Sequence, residues 1–102
     1  PTQATARKDQ QRREAEFRQA IRPLKQKIEK LEQRMEQLQQ QLQDVESRLA
    51  DPEIYTEAAK PELTRLLAQQ GPLKTELEEV EMTWLELHES LQQQEQDFAN
   101  GQ

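Results

Sequence analysis

Large apolar residues recur along this chain at spacings that alternate between four and three. The first series is Phe17, Ile21, Leu24, Ile28, Leu31, Met35, Leu38, Leu42, Val45 and Leu49. A repeat of 3.5 residues is the narrow seam of a coiled coil, tighter than the stripe of an ordinary core helix. It predicts a helix over 17–49, a rod of roughly 50 Å at about 1.5 Å per residue. The second series is Leu63, Leu66, Gln70, Leu73, Leu77, Val80, Trp84, Leu87, Leu91, Gln94 and Phe98, with two polar members. It predicts a second helix over 61–98.

Prolines punctuate both series. Pro23 suits either the first turn of a helix or a kink within one. Gly71 and Pro72 lie inside the second series and are expected to bend or break it, because Pro72 removes a backbone hydrogen bond and crowds the preceding turn. Between the series lies "RLADPEIYTE". Asp51 before Pro52 combines a helix stop with a capping side chain. Residues 50–60 therefore read as a tip in which Ile54 and Tyr55 cover the end of the seam. Thr56 and Pro61 are competing starts for the second helix.

Helices this polar gain little stability alone, and the nearest partner for each stripe is the other. The expected fold is all-α: a two-helix antiparallel coiled-coil hairpin over 17–102, preceded by a linker and frayed basic helical lead-in over 1–16. Flanking charges choose between two registers. One sets Arg34 beside Glu76, Arg48 beside Glu62 and Lys25 beside Glu81, with Leu24 level with Trp84. The other sets Glu32 beside Glu81 and Leu31 across from Trp84. Opposite-charge pairing favours the first.

Composition agrees with long helices burying one seam. Only 32% of the 102 residues are hydrophobic and 4% aromatic, while 33% are charged, too polar for a thick core. Regular spacing argues against disorder, the other reading of so polar a chain. The sequence has no cysteine, which excludes disulfides and thiolate metal sites. It has no apolar run long enough to span a bilayer, so no membrane role is expected. It opens on Pro1 rather than Met, and "PTQATARKDQ" reads as a linker, which predicts a piece of a larger protein.

The net charge of −6 hides an asymmetry. Residues 1–34 hold ten Lys or Arg against five acids, leaving four bases against fifteen acids in the remainder. One end can thus attract an anionic partner despite the acidic total. Arg12, Arg13, Arg18, Arg22, Lys25 and Lys27 are the candidate phosphate contacts. If helical, Arg18, Arg22 and Lys25 fall within two turns and can follow a phosphate backbone. The same bases also suit a solvated helix balanced by acids a turn away, Asp9 for Arg13 and Glu14 for Arg18. No aromatic accompanies them except Phe17, itself a seam residue, so any contact would read backbone and shape.

Catalysis is not expected of this chain. A two-helix hairpin has little concavity, the two glycines cannot build a phosphate-binding loop, and the runs "EEVE" and "ELHE" lie on helix surface. His88, the single histidine, reads as a solvated side chain with no ligand set for a metal. Trp84 reads as a seam filler.

"RKDQQRREAEFR", "PLKQKIEKLEQRMEQL", the tip "RLADPEIY" and "EVEMTWLELHESL" together resemble the C-terminal domain of the ABC-F ATP-binding cassette proteins. The resemblance covers nearly all of the chain after its first six residues. It implies a cytoplasmic parent with two ATPase cassettes, no membrane domain and ATP as cofactor outside this segment. Many members act on the ribosome as translation factors, and in Uup-like members this domain is associated with DNA binding. Ribosomal RNA or DNA, and the parent's own cassettes, are the partners so implied. The acidic second half and Gly71-Pro72 depart from a simple nucleic-acid-coating hairpin. A protein-interaction or spacer coiled coil without nucleic-acid binding is the alternative.

Overall fold

The computed structural model describes residues 3–101, and the linker reading of Pro1 and Thr2 lies outside them, as does Gln102. The chain is all-helical and extended, 83 × 17 × 16 Å. Helix α1 spans Gln3–Ala50, two short 3-10 turns follow at Pro52–Tyr55 and Glu57–Ala59, and α2 spans Lys60–Ala99. Laid end to end, two such helices would exceed about 130 Å, so the observed length requires them to lie side by side. Phe17 stacks on Phe98, Arg34 bonds Glu76 and Arg48 bonds Glu62.

The residues withdrawn from solvent follow the apolar series. On α1 every member of the first series is buried or half-buried, joined by Glu14 and Arg34. On α2 the second series behaves likewise except Gln94, which is exposed. Two apolar clusters result. Ile21, Ile28 and Leu91 form one near the open end, with Phe17, Leu24, Trp84 and Leu87 packed against it. Val45, Ile54 and Leu66 form the other near the tip, with Leu49, Ala59, Leu63 and Leu73 around it. Leu38 lies between them in sequence and is fully buried.

The tip is built as its residues dictate. Asp51 has an extended backbone, and its side chain accepts the Glu53 amide at 3.0 Å, capping the first 3-10 turn with Pro52 in its opening position. Ile54 is fully buried under the seam, whereas Tyr55 stays 61% exposed. The Tyr55 hydroxyl donates to the Leu49 carbonyl at 2.6 Å, satisfying an acceptor that the end of α1 leaves free. Helix α2 starts at Lys60 with Pro61 in its first turn. Thr56 makes no capping bond and instead donates to the Glu53 carbonyl.

The lead-in over 3–16 is helical, as expected, with residues 3–10 helix rather than linker, and it is continuous with the rest of α1, which runs through Pro23. Strong helix formers such as Ala, Arg, Gln and Glu sustain it without a seam. Of the two outcomes expected at Gly71 and Pro72, a bend or a break, the break is excluded, since α2 runs through both. Pro23 and Pro72 are exposed, as are Gln19 and Ala68, whose carbonyls lose an N–H partner to them. Arg34–Glu76 and Arg48–Glu62 agree with the first register, and Leu24 and Trp84 share a cluster. Phe17 on Phe98, and the Trp84 indole on Glu32, are contacts offset along the axes from those levels. Side chains lean toward their own helix N-termini, so long residues offset along the axes meet at the open end.

Candidate functional site

The six candidate cations all lie on α1 and all are exposed. Helical geometry divides them. Arg18, Arg22 and Lys25 are spaced four and three apart and form one strip beside the seam. Arg12, Arg13 and Lys27 point elsewhere around the helix. The pairing differs too. Arg12 approaches Asp9 at 3.6 Å and Glu16 at 4.0 Å, and Arg13 donates to Gln10. The partners considered for Arg13 and Arg18, Asp9 and Glu14, are not used that way. Among the described residues, Arg18, Arg22, Lys25 and Lys27 form no ion pair.

Toward the tip the arginines are committed to the fold. Arg34 bonds Glu76 at 2.6 Å. Arg48 holds Glu62 through two parallel bonds of 2.9 and 3.0 Å and reaches Asp51 at 3.0 Å. The hydrogen bond from Arg48 keeps the Glu62 carboxyl below its ordinary range, and Glu62 in turn raises the Arg48 guanidinium. The free positive charge therefore concentrates on α1 toward the open end.

Beside that charge the structure places an aromatic pair that the pattern of apolar residues did not reveal. His88 is half-buried, not a freely solvated side chain, and stacks on Trp84 with ring centroids 4.9 Å apart and planes 9° from parallel. The Trp84 indole N–H donates to Glu32 at 3.2 Å. A Trp and a His four apart on one helix face was the available signal. No group of three or more metal-ligating side chains occurs among the described residues. None of the described helices is long and apolar enough to cross a membrane. The grooves between the helices are open and lined by Gln, Arg, Glu and seam residues.

Comparison with known proteins agrees with the resemblance read from the sequence. Residues 22–89 match the family described as ABC transporter C-terminal domain. The probable ATP-binding protein YheS of Escherichia coli K12 is 58% identical over 90 residues, as is that of strain O157:H7. The match covers 88% of this chain but 14% of those relatives, so the chain spans about a seventh of their length. No solved structure matches it.

Proposed function

This chain belongs to the ABC transporter C-terminal domain family, and from that premise we propose that it is the accessory domain of a cytoplasmic ABC-F ATPase, an antiparallel coiled-coil hairpin that binds RNA or DNA. ATP binding and hydrolysis reside in cassettes outside this segment, and the hairpin gives the parent a grip on ribosomal RNA or on DNA. The antiparallel arrangement is supported by the pairs Phe17–Phe98, Arg34–Glu76 and Arg48–Glu62, and its coiled-coil character by the seam of buried and half-buried residues.

One observation carries the binding proposal. Arg18, Arg22 and Lys25 share a strip and make no ion pair among the described residues, whereas the arginines nearer the tip are spent on α2. Unpaired cations aligned on a rigid helix are suited to phosphates, and their neutralisation releases counterions. Arg12, Arg13 and Lys27 extend the same positive field around α1. Because α2 brings Glu81, Glu86, Glu89, Glu95 and Asp97 to this same end, contact is confined to the face of α1 that carries the cations.

Anisotropy of labelled duplex DNA and of a structured RNA tests the reading. Three phosphate contacts predict that the logarithm of the affinity falls roughly two to three units per tenfold rise in salt. Absence of binding to either polymer at low salt would overturn it. A second reading, a protein-interaction hairpin that docks on the cassettes, draws support from Met82 and Leu85, exposed on α2. Apolar docking would not weaken with salt.

A further inference from the structure

We propose that the stacked Trp84–His88 pair is a platform for one unpaired base, so that the nucleic acid this end prefers is single-stranded; this rests on the phosphate strip proposed above. Glu32, Lys25 and Arg18 stand at seven-residue intervals on α1, about two turns apart, and so share one flank. Trp84 reaches that flank, because its indole N–H is bonded to Glu32. Leu24, the neighbour of Lys25, packs against the same cluster as Trp84 and Leu87. His88 lies one turn further along α2 toward Phe98, about 6 Å beyond Trp84. The imidazole thus falls between the levels of Glu32 and Arg18, on the side that carries the unpaired cations.

The geometry suits stacking. Trp84 is fixed by packing and by its hydrogen bond, and His88 lies almost parallel on it. The pair is a half-buried stack, and a base would extend it on the outer face of His88. Purine or pyrimidine faces stack on aromatic side chains regardless of sequence, but only when the base has left its own helix. In a duplex the bases are engaged with one another and the phosphates alone reach the protein. Glu81 and Glu95, each seven residues from His88 along α2, repel phosphates on either side and limit the platform to one base. Lys25, Arg22 and Arg18 lead the backbone away from it along α1.

Trp84 is the chain's single tryptophan, so it reports on the site directly. The measurement uses this domain with single-stranded RNA and DNA of about a dozen nucleotides, and duplexes of equal length, at low salt. Single strands are expected to quench Trp84 emission and duplexes are not. His88→Ala weakens single-strand binding roughly tenfold, leaves duplex binding unchanged, and His88→Phe restores it. RNA and DNA arms show whether the sugar matters. If single strand and duplex bind alike without quenching, and His88→Ala changes neither, the platform is refuted while the phosphate strip survives. If neither binds, both fail. Quenching is read on the unaltered protein, so the platform stands or falls even where His88→Ala does not fold.

Discussion

Arg48 on α1 grips both carboxylate oxygens of Glu62 on α2, with Nε at 2.9 Å and Nη2 at 3.0 Å. Its remaining nitrogen bonds Asp51, the residue that caps the first turn of the tip. One guanidinium therefore ties the end of α1, the turn and the start of α2 together. The fork geometry is specific to arginine, since lysine offers a point charge and no parallel bonds.

The pH dependence follows from that contact. The bond from Arg48 holds the Glu62 carboxyl below its ordinary value of 4.5. A lowered pKa in the folded state stabilises the fold above the ordinary value, and the contribution is lost as pH falls through the lowered one. Thermal unfolding of the wild type and of Glu62→Gln is expected to differ by a constant small amount above pH 4.5. The two curves should converge on further acidification. A difference that grows in acid would contradict the role of the bond.

Ile54 is the one tip residue fully withdrawn from water, while its neighbour Tyr55 is exposed but hydrogen-bonded. Ile54→Ala should cost about 3 kcal/mol in urea unfolding, the usual range for emptying a buried aliphatic site. Tyr55→Phe removes only the bond to the Leu49 carbonyl and should cost about 1 kcal/mol. Equal costs would mean that the tip is held by something other than the buried isoleucine.

Gly71 sits in the interior of α2, and beyond its chain neighbours and its own helix backbone a Cβ added there would meet nothing within 4 Å. Gly71→Ala should therefore gain less than the about 0.5–1 kcal/mol of helix propensity, because the new Cβ is crowded by the ring of Pro72. A loss of stability would show that this crowding outweighs propensity.

The cations should separate by strip. Arg18→Gln, Arg22→Gln and Lys25→Gln combined are expected to weaken nucleic-acid binding by at least tenfold and to reduce its salt dependence. The matching triple change at Arg12, Arg13 and Lys27 should have the smaller effect, since Arg12 is already shared between Asp9 and Glu16. Electrophoretic mobility shifts at two salt concentrations distinguish the two sets.

Seam positions were legible because helix burial has a period, and the period is written in Ile, Leu and Val. Only Gln94 departed from it, a polar residue free to turn outward near the helix end. The ion pairs Arg34–Glu76 and Arg48–Glu62 were legible as well, since opposite charges at flanking positions restrict register. What the pattern could not convey was continuity. Pro23 and Pro72 look like breaks in one dimension, yet each is exposed, as is the residue whose carbonyl loses a partner to it. The His88 stack was missed for a related reason. A lone histidine at a flanking position looks solvated until the direction of the neighbouring indole is known, and the bond to Glu32 sets that direction.

An amide-resolved NMR titration of the domain with a short duplex DNA, a structured RNA and a single strand, at low and high salt, bears most directly on the binding role. Shifts clustered between Arg12 and Arg34 that fade at high salt are expected, with His88 responding to the single strand. No shift with any polymer at low salt would contradict a nucleic-acid role for this end of the rod.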